Sequence, residues 1–524
     1  MSGRRATVAL IALLLAIAAL AFLQSYQRWL DPIIDTGRDL YIPEQLTHGA
    51  RLYRDIRYQY PPLAPYLLAA ITSIIGHSLA SYTAIGLLQS IIIAAGLWMI
   101  GRRTAGILGG FTAALCFIAL SFCGASTWGA NFIFPYSYSA TIGMALLVVS
   151  LALFLYERPS LALVALFAAS WCKVEYAVGA VVVIVILAAG RRLNVRQVAS
   201  FVVAEAIAVP AALLYFPNLR DNVFAEALTR GESARRFFRN VSGMAHWPEN
   251  LGTAVLAIAG IVAIVWLLRS VRPQIAIPLV IVISVFLASH AFFRAWAILQ
   301  LVALVQGFRE RNPTLLTLSA FSIASTLRIP LSVSPEWYGF ALVVPVYALI
   351  AYVLFGYLPL GEKAIWWIPL IAFLCGRDLA EQRVRYALKS FAIASQRGSL
   401  DDANPDRARV LNEFLPQIHG GTLAVLPEGI TLNYLTRTRT TLTFHTFTPV
   451  ETADPRVEDA VISEFRARPP DRVAIVSRDV GEYGYRGFGV DYDQRLFAWL
   501  TKNYSLERRW TEPRFQLYLL TLRR

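Results

Sequence analysis

DTGRDLYIPEQLTHGARLYRDIRYQYPPLAPYLL, residues 35–68, follows directly on the first apolar run of the chain. Acids and arginines crowd its first half, and it closes on a Pro-Pro pair and an apolar tail. Ionisable side chains beside hydrocarbon are costly and tend to be kept for a task. What surrounds the stretch decides where it lies.

The 524 residues are 56% hydrophobic and 16% charged, with a mean hydropathy of +0.52. A soluble globular chain carries about 25% charged residues, so this composition is that of a membrane protein. The net charge of +14 is uneven: residues 401–524 hold 17 basic and 17 acidic side chains, so the whole excess lies in the first 400. Such an excess reads as membrane topology and not as a nucleic-acid surface. Cys116, Cys123, Cys172 and Cys375 all sit in apolar stretches without disulfide or metal spacing, and read as small packing residues.

The run 6–23 behind MSGRR is too long for a signal-peptide core and reads as an uncleaved first helix starting in the cytoplasm. Further apolar runs fall near 79–100, 105–123, 138–156, 161–172, 174–190, 197–216, 250–268, 275–292, 295–307, 313–331, 338–358 and 364–379. With the first they predict about thirteen transmembrane helices, the short pair 161–172 and 174–190 turning near Lys173. Arg4, Arg5, Arg102, Arg103, Arg158, Arg191, Arg192, Arg196, Arg269, Arg272, Arg309, Arg311 and Lys363 then all fall on the cytoplasmic side, as positive-inside topology requires. The pattern holds only if PLAPYLLAAITSIIG (62–76) lies along the outer interface without crossing. The odd number of crossings places the C-terminus outside. The expected domains are a membrane module over 1–394, with its first external loop at 29–78, and an external domain over 395–524. In the latter, GGTLAVLPEG and DRVAIVSRD read as strands, and NPDRARVLNEFLPQI and DQRLFAWLTKNY as helices, giving a small α/β fold.

With the 35–68 stretch placed outside, its order is informative: an acid just beyond the first membrane helix in DTGRDLY, then YRD (53–55), then YPPL (60–63) before an interfacial helix. This resembles the GT-C class of membrane glycosyltransferases, which includes the protein O-mannosyltransferases and the lipid A aminoarabinose transferases. The thirteen-helix layout with an external C-terminal domain is similar as well. The resemblance implies a polyprenyl-phosphate-linked sugar as donor, and an Asp, here Asp35, that activates or positions the acceptor. It places donor-phosphate binding on Arg38, three residues on, on Lys173 in WCKVEY, and on Arg328 in LRIPLSVSPEWYGF. The aminoarabinose transferases carry a lysine before the proline of the interfacial helix; this chain has Tyr60 and Pro61 there. A divalent cation is left open, because some members of the superfamily use one at the first-loop acids and others do not. No other cofactor is implied, and the metal ligands stay unknown.

The residue types fit that chemistry on their own. A carboxylate within reach of an acceptor hydroxyl takes its proton, and arginine or lysine stabilises the charge growing on a leaving phosphate. One displacement inverts the anomeric centre; a covalent route needs a second carboxylate, which Asp39 or Asp55 can supply. Tyr41, Tyr60, Glu175 and Tyr338 complete the candidate substrate contacts. Each has a plainer reading: Asp35 as a helix cap, Arg38 as a snorkelling side chain, Lys173 with Glu175 as a structural ion pair. The expectation is therefore an inverting transferase of hexosyl or pentosyl type in a bacterial inner membrane. Its acceptor would be a glycan, lipid or protein, without nucleic acid. A lipid or glycan transporter (flippase), or a non-catalytic envelope assembly protein on the same scaffold, is the alternative.

Overall fold

Inside hydrocarbon every backbone polar group must be satisfied within its own segment, which an apolar run achieves as a helix. The computed structural model of the chain describes residues 3–124, 131–225, 232–287, 291–333 and 343–523. Among these, five helical runs are long and apolar enough to cross a membrane: Arg4–Ser25, Leu79–Phe122, Tyr138–Leu155, Val195–Tyr215 and Met244–Ser270. The second leaves helical geometry at Ala105 and at Gly106, whose φ is +73°, and so divides where the sequence places the Arg102–Arg103 turn. Shorter apolar helices cover Leu63–Ile75, Pro159–Ser170, Val174–Ala189, Trp296–Arg309 and Val344–Tyr357. Several fall short of the roughly 20 residues that a perpendicular crossing takes, so helix length alone does not fix the number of crossings.

The chain divides into two units. The first comprises Met1–Trp29, Ile85–Ala208 and Asn240–Tyr386. At its centre Pro313–Thr326 packs on Trp296–Arg309, Val174–Ala189 and Val344–Tyr352. Small residues allow the approach: a side chain on Gly179 would press on Ala324, and one on Gly307 on Leu316. Buried Gln300 ties this packing together, linking the hydroxyls of Thr326 and Ser322 at 2.6 and 2.8 Å. By contrast Val202, Val203 and Ile207 of Val195–Tyr215 are more than half exposed, an apolar face suited to lipid.

The second unit comprises Leu30–Ala84, Val209–Arg239 and Ala387–Arg524, so the first charged loop belongs with the C-terminal segment. A hairpin of β1 (Phe391–Ser395) and β2 (Gly398–Asp402) precedes a four-stranded sheet of β3 (Leu423–Leu426), β4 (Arg472–Val476), β5 (Tyr504–Glu512) and β6 (Phe515–Leu522). The order is β3-β4-β6-β5, with β3 and β4 parallel and the other pairs antiparallel. Every residue of β3 is buried, as suits a parallel strand covered on both faces. Edge strand β5 instead exposes Leu506, Glu507, Arg508 and Arg509, and those charges guard its free edge. Helices start where Asx-Pro pairs predict them: Asn404 accepts from the amides of Asp406 and Arg407, and Asp454 from that of Arg456, with proline at the first helical position. Leu426, Phe447, Val461, Phe465, Leu496 and Leu500 meet in the core, each burial contributing about 1.5–3 kcal/mol.

Candidate active site

The first loop folds around its own acids. Asp31 accepts the amides of Ile33 and Ile34 at 2.8 and 3.0 Å, an Asx turn. Asp35 then takes a φ of +60° before the Gly37–Thr47 helix begins. A non-glycine residue in that region carries strain of order 1 kcal/mol, and an interaction with the C-terminal segment of the unit holds it. The Asp35 amide donates to Glu428 Oε1 at 2.9 Å.

Glu428 lies in LPEGIT, the turn leaving β3. Two glycines make the meeting sterically feasible. A Cβ on Gly37 would sit 2.1 Å from Thr431 Oγ1, and Gly429 turns with a φ of +141° against Val425. Arg478, just beyond the end of β4, donates to Glu428 Oε2 at 2.9 Å and to Glu482 at 2.6 Å. An acid–arginine cluster thus stands at the carboxyl ends of the two parallel strands, where open α/β sheets commonly bind ligands. Burial first, and then the charge of Glu428, push the Asp35 carboxyl up to about 7 against the pull of Arg38 and Arg478. A carboxyl poised near neutrality, and still partly accessible, is suited to take a proton from a hydroxyl.

Arg38 lies one helical step on. Its guanidinium sits over the Tyr60 ring, 5.1 Å from the centroid, and its Nε is 3.9 Å from Asp39. That buried Nε–H makes no hydrogen bond among the described residues. His445 is a neighbour that sequence reading overlooked. Burial, and then Arg38, push its imidazole down to about 4. Asp39 is buried. Tyr41 is buried too, its hydroxyl accepting the Thr440 amide at 3.0 Å and its ring standing edge-on to His445. Asp55 is taken up at the surface by Arg54, with two contacts of 2.9 Å, and by the Arg51 amide.

In the first unit Lys173 and Glu175, neighbours in sequence, are joined by the distant Arg328. Lys173 is the residue at which the Pro159–Ser170 and Val174–Ala189 helices turn, in extended conformation. Its ammonium group is fully buried, 2.7 Å from the Tyr136 hydroxyl and 3.3 Å from Glu175. Arg328, just after Pro313–Thr326, donates to the same Glu175 oxygen at 2.7 Å. Glu175 is thus shared by two cations and remains 30% exposed. Tyr338 lies outside the described residues.

Glu428, Arg478 and Glu482 carry no sequence signal of their own, being three charges among the 34 in residues 401–524. Tyr136 could have been found, as the polar end of the aromatic run NFIFPY. Among the described residues no group of three or more His, Cys, Asp or Glu is arranged to hold a metal ion. A cavity of about 770 Å³ in the first unit is lined by Leu108, Phe355, Lys363 and Trp366 among others, and by none of the candidate residues.

No protein-family model and no curated protein matches the chain by sequence. Solved structures do match. ArnT from Cupriavidus metallidurans bound to undecaprenyl phosphate is 12% identical, with a TM-score of 0.50 over 99% of this chain and 98% of that one. The same protein in its apo state is 13% identical, with a TM-score of 0.50 over 98% of both chains. The apo oligosaccharyltransferase of Archaeoglobus fulgidus is 13% identical, with a TM-score of 0.50 over 89% of this chain and 69% of that one. Both proteins are GT-C fold members, and at this identity the likeness is one of fold.

Proposed function

We propose that this GT-C-fold chain is a glycosyltransferase that moves a sugar from a polyprenyl-phosphate-linked donor to an acceptor on the external side of a membrane. The fold supports the class, and undecaprenyl phosphate bound to one structural neighbour supports the kind of donor. The observation that carries the reading is the pairing at the first loop: a largely buried carboxyl pushed toward neutrality, beside a buried arginine N–H with no acceptor among the described residues.

Asp35 is the base that takes the acceptor proton. Arg38 supplies its open N–H to the donor phosphate, and Lys173 and Arg328 keep the phosphate-binding role that the resemblance implies, with Glu175 pairing both. Tyr60 orients Arg38, and Tyr338 is kept as a substrate contact. Direct displacement with inversion is favoured, because the alternative nucleophiles are occupied: Asp39 is buried beside Arg38, and Arg54 and the Arg51 amide engage Asp55. About thirteen helices cross a bacterial inner membrane with the N-terminus in the cytoplasm. Residues 1–394 form the membrane module, the Leu63–Ile75 helix rests on the outer interface, and residues 395–524 lie outside.

The test is sugar-agnostic. The purified full chain is incubated with undecaprenyl-phosphate-linked pentose, hexose and amino sugar in turn, water serving as the hydroxyl that receives the sugar and gives its proton to Asp35, and released undecaprenyl phosphate is measured by mass spectrometry. At least one donor is cleaved, and Asp35→Asn lowers that rate by about 10²-fold or more. Equal release by both proteins, or vesicle transport of the lipid unaffected by the substitution, contradicts the reading.

A further inference from the structure

We propose that Glu428, clamped by Arg478, is a positioning residue for Asp35, so that the C-terminal segment of the chain sets the geometry of the acid in the first loop. The inference rests on the reading of Asp35 as the base and adds a control element to it.

The geometry is specific. Glu428 is 6% exposed, and both its oxygens are engaged, one by the Asp35 amide and the other by Arg478 Nε, each at 2.9 Å. Leu426 pairs with Ile475 across β3 and β4, which brings the residues just past each strand side by side. Arg478 is itself only 6% exposed and is braced by Glu482. The single bond from Asp35 to this clamp pins a left-handed residue at the hinge between the Asp31 turn and the Gly37–Thr47 helix.

The choice of partner points beyond structure. A backbone carbonyl or an asparagine would accept the Asp35 amide equally well. A carboxylate also places a negative charge beside the Asp35 carboxyl, which is unfavourable for stability. It is useful if that carboxyl must be a stronger base than an ordinary aspartate. The charged and titratable groups that face Asp35 are Glu428 and Glu482, which raise its affinity for a proton, Arg38 and Arg478, which lower it, and Tyr483.

The test is the pH profile of undecaprenyl phosphate release, on a donor the wild-type chain cleaves. Asp35 must be ionised to act, so the rate rises with pH through its titration. Glu428→Gln keeps an oxygen for the Asp35 amide and removes the charge, so the midpoint of the acid limb moves down by about one pH unit. Arg478→Met removes a cation and moves the midpoint up, and opposite signs in two variants cannot come from misfolding. Glu428→Ala removes the acceptor and lowers the plateau by about tenfold. Loss of release in Asp35→Asn together with unmoved limbs in Glu428→Gln and Arg478→Met overturns this inference alone. Full release in Asp35→Asn overturns the reading of the base, and this inference with it.

Discussion

At the scale of single residues, each candidate divides between holding the fold and meeting a substrate, and the hydrogen bonds state which. The Tyr41 hydroxyl is occupied by the Thr440 amide in a buried setting. Tyr41→Phe leaves that amide unpaired and costs about 1–3 kcal/mol of stability, read as a lower thermal midpoint with kcat unchanged; a raised KM at an unchanged midpoint would assign the residue to substrate instead. Asp35 behaves in the opposite way. Its folded carboxyl is raised from 3.8 to about 7, so the native state binds the extra proton and stability falls as pH rises between those values. Asp35→Asn therefore melts higher than wild type at pH 8 and about equally at pH 4; a lower midpoint at pH 8 would contradict the burial argument. Lys173 serves both roles in the proposed account. Lys173→Met removes a buried partner of Tyr136 and Glu175, which lowers stability. It also abolishes most of the thermal stabilisation that added undecaprenyl phosphate gives wild type. Undiminished stabilisation by the lipid would remove Lys173 from the phosphate site.

At the scale of elements, the first loop is tied to the C-terminal segment by buried charge as well as by Glu428. Arg407 in the Pro405–Phe414 helix reaches Asp31 at 3.0 Å and Asp402 at 2.8 Å, while Arg397 binds Glu44 and the carbonyl of His77. Burial opposes ionisation of Asp31, but Arg407, Lys389 and two amides outweigh it and hold the carboxyl below its usual range. The stabilisation from this clamp is thus present above the ordinary carboxylate pKa and is lost only as pH falls below it. Arg407→Met removes the arginine that two acids share, leaving Lys389 as their remaining cation, and costs about 3–5 kcal/mol. Trypsin should then cut the C-terminal segment faster at neutral pH; an unchanged cleavage rate would show that the clamp contributes nothing. Elements were unevenly legible in the sequence. Strands β3 and β4 stand out as short apolar runs between turn residues, and their helices as amphipathic runs. Edge strand β5 hides its alternation behind Glu507, Arg508 and Arg509, and its partner β6 went unread with it. Asp35 and Arg38 were legible because charge beside apolar sequence stands out. Lys173 and Glu175 were legible as an ion pair, but the arrival of Arg328 at Glu175 depends on helix packing. Glu428 and Arg478 gain meaning only from the parallel register that sets them side by side.

At the scale of the whole molecule, the charge asymmetry along the chain remains the argument for orientation. The native cysteines are buried, so an introduced one reports alone. Arg456 is strongly exposed in the C-terminal segment, and Arg456→Cys should react with a membrane-impermeant maleimide in cells whose inner membrane is intact. Arg192→Cys, at a turn assigned to the cytoplasm, should react only after permeabilisation; the reverse pattern would invert the topology and remove the external site. The most direct test of the central claim is the rate of undecaprenyl phosphate release from a cleavable sugar donor, measured from pH 5 to pH 9 for wild type and Asp35→Asn. The account predicts a wild-type rate that climbs with a midpoint near pH 7 and an Asp35→Asn rate about 10²-fold lower across the range. Superimposable profiles for the two proteins would contradict it.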